Sequence, residues 1–329
     1  MARSRERQLG LLALIGACVL TATAPAGAAN PQDFRTWLDG VQKEARASGI
    51  SDGTLKLAFT NLQPLPQVIE LDRQQPEFTL RFEDYLLRVV SEQRVEKGRR
   101  LMQEHAALLK AVADRYGVEP RFIVALWGVE SDFGRLVGDF NVVAALATLA
   151  YDGRRSAFFR KELMDALRIV DQGNVTVSAM TGSWAGAMGQ NQFMPSSFLA
   201  YAVDFDGDGR RDIWSSEADV FASIANYLVQ EGWKPGQGWG VPVRIPPGFD
   251  TAMLGLDRRE PVSEWRNAGV TSSDGKPLPD LPSAALVQPA GPGGAVYMVF
   301  DNYRTVMRWN RSLFFATAVG LLADRLSAP

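Results

Sequence analysis

The chain has 329 residues, of which 46% are hydrophobic and 22% charged, and its formal net charge is −2. This composition predicts a globular protein with a sizeable core, and the length fits one large domain or two ordinary ones. The slightly acidic balance argues against a nucleic-acid partner. With one His and one Cys, the sequence also argues against a catalytic zinc site or a Cys nucleophile, and a Ser-His-Asp triad would have to use His105.

The first predicted element is an export signal at residues 1 to 29. Basic residues precede an apolar run at residues 9 to 20, and small residues at 24 to 29 provide a signal-peptidase site. The apolar run is shorter than the roughly 20 residues of a membrane-spanning helix. Residues 15 to 18 loosely resemble a lipobox, so cleavage before Cys18 would instead leave an outer-membrane lipid anchor. We favour the soluble form, because the apolar run continues past Cys18 and an Ala-x-Ala site follows.

An N-terminal helical region is predicted at residues 30 to 117, where apolar residues such as Phe34, Leu38 and Val41 recur every three or four positions. His105 lies at helical spacing in this region and is interpreted as structural. Gly117 ends the region, and Pro120 fits the first turn of the next helix.

Glu130 lies near the end of that next helix, directly after the almost wholly apolar residues 122 to 129. If the helix is buried, removal from water disfavours the charged carboxylate and raises the pKa of Glu130. A carboxyl that keeps its proton near neutral pH can act as a general acid. The pattern also fits a surface Glu at a helix end, or a buried Glu paired with an Arg.

A Gly-rich segment follows at residues 182 to 195. Its small residues allow a ligand to approach the backbone, and Ser183, Gln190, Asn191 and Gln192 offer neutral hydrogen-bonding groups that suit sugars. A tight turn beneath a core is the alternative. The segment lacks the Lys-Ser/Thr ending of a phosphate loop.

An acidic loop at residues 204 to 210 reproduces the start of an EF-hand. Its candidate ligands are Asp204, Asp206, Asp208 and the carbonyl oxygen of Arg210. Ser215 stands at the twelfth position, where a standard loop has a bidentate Glu. The alternative is an Asp-Gly turn that binds no metal. Beyond the loop, Pro-Gly turns and short apolar runs predict a small β-rich insertion at 240 to 300, followed by a helix at 301 to 329.

Residues 127 to 134 and the Gly-rich segment together resemble the membrane-bound lytic murein transglycosylase B family, and shorter matches extend the similarity to residues 34 to 325. One of these matches is the Pro-Glu-Phe at 76 to 78. The resemblance implies a mainly α fold with a lysozyme-like α+β catalytic core at 118 to 239. It also implies a helical flanking domain, an EF-hand-like loop at 204 to 219, the β-rich insertion, and a C-terminal helix that completes the cleft.

The resemblance further implies cleavage of the MurNAc-GlcNAc β-1,4 bond of peptidoglycan, with Glu130 as general acid and then base and a 1,6-anhydroMurNAc end as product. Asp132 is a poor second carboxylate, because residues two apart on a helix do not face each other. The implied substrate-binding residues are Ser183, Gln192, Phe193, Tyr227 and Asn310. Periodicity alone would make Tyr227 a core residue. Trp309 and Phe315 replace two Tyr residues of the family pattern.

By the same resemblance, Asp219 closes an enlarged loop that binds a structural Ca²⁺ or Na⁺, and the chemistry needs no cofactor. The expected setting is the periplasm of a Gram-negative bacterium. The expected partners are glycan strands and cell-wall synthase complexes, and the protein is expected to be a monomer. Two other functions remain open: a hydrolytic lysozyme-type muramidase, and a non-catalytic peptidoglycan-binding protein.

Overall fold

The computed structural model describes residues 31–74 and 80–327. That part of the chain contains fourteen α-helices and six short β-strands, so the predicted mainly α class is confirmed. The predicted signal with Cys18 and the Pro-Glu-Phe match at 76 to 78 lie outside the described residues. None of the helices between residues 31 and 327 combines the length and the hydropathy that crossing a membrane requires.

The described residues form two compact units, each built from two stretches of chain. The first unit comprises 31–74 and 130–226, and the second comprises 80–129 and 227–327. The sequence predicts consecutive domains instead, and those boundaries stay predictions.

The first unit consists mainly of helices, with one apolar helix, α8, at its centre. Its helices are α1 (Pro31–Ala47), α2 (Asp52–Phe59), α3 (Pro66–Arg73), the end of α7 (Pro120–Ser131), α8 (Val142–Asp152), α9 (Ser156–Asp171), α10 (Pro195–Tyr201) and most of α11 (Glu217–Gln230). Residues 142 to 150 of α8 are all buried, as expected of a helix that is apolar on every side. The helices α3 and α9 pack against α8, and α2 and α10 pack against α9. Two short strands, β1 (Phe140–Asn141) and β2 (Thr181–Gly182), pair antiparallel.

The second unit combines helices with one antiparallel sheet. Its helices are α4 (Phe82–Val89), α5 (Glu92–Glu104), α6 (Ala106–Tyr116), most of α7, α12 (Val262–Asn267), α13 (Asp301–Trp309) and α14 (Leu313–Ser327). The strands are β3 (Gly240–Arg244), β4 (Thr271–Ser272), β5 (Ala285–Val287) and β6 (Val296–Val299), in the order β4-β3-β6-β5. A core that includes Trp265, Leu286 and Met298 packs on this sheet. The sheet lies within the stretch where the sequence predicts a β-rich insertion.

The predicted C-terminal helix at 301 to 329 is divided into α13 and α14. Asn310 has extended backbone angles, φ −144° and ψ 120°, and therefore ends α13. The apolar pattern continues on both sides of this break, so periodicity alone did not reveal it. The helix α14 packs against α4, α5 and α13 and is largely buried.

Candidate active site

Glu130 is the last residue but one of α7, and only 4% of it is exposed. The helix forms because Pro120 starts it and a run of apolar residues follows. Ile123 and Leu126 in this run are fully buried, so the helix is a core element. The structure therefore excludes the open interpretation in which Glu130 is an ordinary surface residue at a helix end.

The turn after Glu130 has an uncommon backbone. Asp132, Phe133 and Gly134 have φ angles of 50°, 59° and 76°, which places three consecutive residues in the left-handed region. Such a conformation costs about 1–3 kcal/mol for each non-Gly residue and persists only where the surroundings enforce it. Ser131 supplies two of the restraints, because its Oγ accepts from Gly134 N at 3.0 Å and its carbonyl oxygen accepts from Leu136 N at 2.8 Å.

The Gly-rich segment lies along the chain that follows this turn. Strand β1 pairs with β2, and Gly138 comes so close to Gly182 that a Cβ on Gly138 would lie 2.1 Å from the Gly182 carbonyl oxygen. Gly138 also has a φ of 85°, which favours glycine. The sequence analysis identified the Glu130 segment and the Gly-rich segment separately, and both lie in the first unit.

Three predicted substrate residues belong to the Gly-rich segment. The Oγ of Ser183 accepts from Ala187 N at 3.0 Å, which closes a tight turn. Gln192 donates through Nε2 to Val137 O at 3.0 Å and to Gly189 O at 2.8 Å. Phe193 is 2% exposed and pairs through its backbone with Met188. All three therefore have structural partners, and their contacts with a sugar stay predictions.

The other two predicted substrate residues belong to the second unit. The ring of Tyr227 lies 4.6 Å from the ring of Trp309, measured between centroids. Tyr227 is buried, which agrees with its helical periodicity. Asn310 is 4% exposed, and its buried Oδ1 has no hydrogen-bond partner in the described structure. The contacts of Tyr227 and Asn310 with a sugar stay predictions.

The acidic loop gathers three of the predicted metal ligands. Carboxylate oxygens of Asp204, Asp206 and Asp219 lie within 4.8 Å of one another. An all-oxygen donor set of this kind is what Ca²⁺ prefers, so these residues fit a calcium-type ion. Asp208 is outside this group, and its Oδ1 accepts from the backbone of Arg210 at 2.8 Å. The EF-hand-like loop, with Asp208 and Arg210 as ligands, stays a prediction.

Asp219 holds the loop together from the inside. It is fully buried, and its two oxygens accept from Phe205 N and Asp212 N, each at 2.7 Å. Burial raises the pKa of Asp219, and the nearby charge of Asp206 adds to that effect, while the two backbone hydrogen bonds oppose it. A bound cation would offset the cost of placing these negative charges together.

Sequence reasoning missed two buried polar residues, one in each unit, that hydrogen-bond to a distant segment of the chain. In the first, Glu162 on α9 accepts from Ser196 N at 2.9 Å and from its hydroxyl at 2.7 Å, and so caps α10. In the second, Asn302 accepts from Lys234 N at 2.7 Å and donates to Lys234 O at 2.8 Å. Both contacts join residues far apart in the chain, and no local pattern marks them.

The helical fold, with a buried carboxyl at a helix end and a Gly-rich segment beside the following chain, defines the class of lysozyme-like proteins. The chain belongs to the transglycosylase SLT domain family, whose model matches residues 33–324. The predicted family and the lysozyme-like fold class are thereby confirmed, and the predicted enzyme class is confirmed at the level of the family.

Three relatives illustrate the similarity. SltB3 from Pseudomonas aeruginosa, solved with NAG-anhNAM-pentapeptide, is 46% identical with a TM-score of 0.87, over 90% of this chain and 80% of that one. A lytic transglycosylase from Escherichia coli, solved with calcium, is 30% identical with a TM-score of 0.76, over 91% and 93%. Membrane-bound lytic murein transglycosylase B from Escherichia coli is 32% identical over 74% of this chain and 66% of its own length. The chain thus spans just under two thirds of that last relative.

Proposed function

We propose that this protein is a lytic transglycosylase that cleaves the MurNAc-GlcNAc β-1,4 bond of peptidoglycan and leaves a 1,6-anhydroMurNAc end. The observation that carries the proposal is Glu130, a carboxyl 4% exposed at the end of an apolar helix. The family match over residues 33–324 supports it, as does the Pseudomonas aeruginosa relative solved with an anhydro-sugar ligand.

The reaction needs one group that first donates and then accepts a proton. Protonated Glu130 donates to the glycosidic oxygen, and GlcNAc leaves with a new hydroxyl. The Glu130 carboxylate then takes the proton of the MurNAc C6 hydroxyl as that oxygen bonds to C1. The proton returns to Glu130 and no water is consumed. Burial suits both steps, because it favours the neutral acid before cleavage and leaves a strong base after it. Pairs of carboxylates serve glycosidases in which water is the acceptor.

The substrate is bound mainly through neutral polar groups. The proposed contacts are Ser183, Gln192, Phe193, Tyr227 and Asn310. Asn310 is proposed from the family resemblance, and its side-chain amide can both donate to and accept from sugar hydroxyls. Trp309 stands where the family pattern has Tyr, so the phenol hydroxyl is missing and an indole ring is present. Stacking on an apolar sugar face is therefore expected there in place of the hydrogen bond of a Tyr hydroxyl.

We also propose a structural Ca²⁺ or Na⁺ in the loop at 204 to 219, with no cofactor in the chemistry. The carboxylate group of Asp204, Asp206 and Asp219 and the calcium-bound Escherichia coli relative support the ion. The proposed location is the periplasm of a Gram-negative bacterium, as a soluble monomer. Association with cell-wall synthases is proposed from the family resemblance.

Mass spectrometry of muropeptides released from purified sacculi tests the reaction. Wild-type protein should release fragments with 1,6-anhydroMurNAc ends, each one water lighter than the reducing-end fragments of a hydrolase. Glu130→Gln keeps the shape of the side chain and removes its proton chemistry, so the rate should drop by about 10²–10⁴-fold or more. Glu104→Gln, at an exposed carboxylate of α5, should keep the wild-type rate and serves as the control.

The outcomes separate the rival functions. Reducing ends in place of anhydro ends would identify a hydrolytic lysozyme. Glycan binding without any release of fragments would identify a non-catalytic binding protein. Full activity in Glu130→Gln would remove Glu130 from the mechanism.

A further inference from the structure

Gln190 occupies a central position in the Gly-rich segment but is not among the proposed substrate contacts. It stands at one of the two variable positions between Gly189 and Gln192 in the family-like pattern. The side chain is buried, and both its backbone and its amide make defined contacts. Its backbone N donates to Ile213 O at 2.8 Å, and its Nε2 donates to Trp214 O at 3.0 Å.

The amide oxygen of Gln190 faces the turn that follows Glu130. A Cβ built on Gly134 would lie 2.3 Å from Gln190 Oε1, so the amide packs directly on the Gly134 backbone. Gly134 is tied in turn to Ser131, the residue next to Glu130, through the 3.0 Å bond from its N to Ser131 Oγ. Gln190 thus contacts a left-handed turn that needs outside restraint to keep its shape.

The other end of the Gln190 amide rests on a fixed support. Trp214 N donates to Asp212 Oδ1 at 2.8 Å, and Trp214 Nε1 donates to Thr181 O at 2.9 Å. Asp212 N is bound in turn by the buried carboxylate of Asp219. The Ile213–Trp214 backbone is therefore held by hydrogen bonds at Asp212 and at Trp214. An amide that is hydrogen-bonded to this backbone, as that of Gln190 is, has a fixed position.

We propose that Gln190 is a positioning residue for the reaction, which braces the turn after Glu130 against the Ile213–Trp214 backbone and so fixes the orientation of the Glu130 carboxyl. The inference rests on the proposed role of Glu130 as acid and base. All of these contacts lie within the first unit. Loss of the amide leaves the turn free to relax and changes the surroundings of Glu130, which alters its ionisation and lowers kcat more than it raises KM.

The ionisation of Glu130 can be measured without any activity. NMR of protein labelled with ¹³C at the Glu side-chain carboxyl follows each titration, and Glu130→Gln identifies the Glu130 signal by its disappearance. In Gln190→Met, which fills the same space without an amide, the Glu130 titration midpoint should move by about half a pH unit or more. The same variant should show a lowered kcat and a displaced pH-rate profile with sacculi as substrate.

Thr148→Val is the matched control. Thr148 is buried in the same unit and joins distant segments, accepting from Leu65 N at 3.0 Å and donating to Ala144 O at 2.7 Å. Its loss should lower Tm and leave the Glu130 midpoint and the pH-rate profile unchanged. If Gln190→Met does not fold, Gln190→Asn provides the test, since it keeps a buried amide but shortens its reach by one methylene.

A Gln190 variant with reduced Tm and an unchanged Glu130 midpoint overturns the proposal, because Gln190 is then only structural. A displaced midpoint in a protein whose wild type releases no anhydro fragments overturns the proposed function and leaves the bracing of Glu130 in place.

Discussion

Glu130 combines two costs that a protein rarely accepts at one residue, a buried carboxyl and a strained turn beside it. An isolated buried charge is expensive, so the side chain either keeps its proton or finds a partner. The left-handed backbone at Asp132 and Phe133 adds strain two and three positions after Glu130. Ser131 restrains this turn through a part-buried hydrogen bond to Gly134, and the Gln190 amide packs on Gly134, which is the basis of the bracing role proposed for Gln190.

Asp171 gives a prediction about pH. Its Oδ1 accepts from Ser51 Oγ at 2.5 Å, from Thr54 Oγ1 at 2.7 Å and from Ser51 N at 3.1 Å. The Ser51 hydroxyl above all, together with the Thr54 hydroxyl, lowers the pKa of Asp171 below its usual 3.8. A carboxylate with a lowered folded-state pKa stabilises the fold above the unfolded value, and this contribution is lost as the pH drops through the folded value.

Asp171→Ala should therefore be less stable than wild type at pH 7, and the difference should shrink below pH 3.8. Urea unfolding of both proteins between pH 7 and the acid limit of folding measures it. Asp39→Ala, at an exposed carboxylate of α1, should show no such convergence. A difference that stays constant down to the acid limit would contradict the hydrogen-bond explanation.

At the scale of elements, close packing is set by single small residues. In α14, Gly320 lies against the indole of Trp239, and a Cβ at this position would come within 2.2 Å of Trp239 Cδ2. Trp239 is also tied to the same helix, because its Nε1 donates at 2.9 Å to Oδ2 of Asp324, one turn further along α14. The helix and the indole therefore have little room to adjust.

Gly320→Ala should destabilise the protein by about 1–3 kcal/mol, the usual cost of overpacking a core. Gly40→Ala in α1 is the matched control, since nothing lies within 4 Å of its Cβ position. There the loss of glycine from a helix should stabilise by about 0.5–1 kcal/mol. Denaturant unfolding of both variants gives the two signs, and a stabilised Gly320→Ala would show that Trp239 moves easily.

The acidic loop predicts a response to calcium. Oxygen ligands from Asp204, Asp206 and Asp219 would bind the ion in the folded state only, so the ion should raise Tm, and the rise should grow with the logarithm of the Ca²⁺ concentration above Kd. Asp204→Ala removes one ligand from the group and should abolish the rise, whereas Asp39→Asn should keep it. Differential scanning calorimetry with Ca²⁺ and with EDTA decides the matter. An equal Tm in both solutions would leave the loop as an Asp-Gly turn without metal.

For the whole molecule, local patterns predicted the elements well and the long-range contacts poorly. Pro120 and the apolar run located α7 and its buried Glu130. The Pro-Gly turns and short apolar runs after Gly240 located the sheet. The end of α13 at Asn310 was not predicted, because the apolar pattern continues on both sides of it. The cap by Glu162 and the support by Gln190 depend on chain segments more than twenty residues apart, and periodicity carries no information about such pairs.

The fate of Cys18 is a further property of the whole molecule, since it decides whether the protein is free or anchored. Cleavage after the small residues at 24 to 29 would remove Cys18 with the signal, and the mature protein would carry no acyl chain. Acylation at Cys18 would instead hold the protein at the membrane, because several acyl chains together bind stably where a single one binds only weakly.

Because an Ala-x-Ala site follows Cys18, we expect the protein in the periplasmic fraction, with a mature N-terminus near residue 30 by mass spectrometry. Cys18→Ser should show the same division between the periplasmic and membrane fractions. An Ala→Lys change within the small-residue site, at Ala28, should slow the processing and supplies the positive control. Recovery in the membrane fraction with the added mass of acyl chains, lost in Cys18→Ser, would establish the anchored form. The proposed reaction would be unaffected by that result, because Glu130 and its supporting residues lie in the described part of the chain.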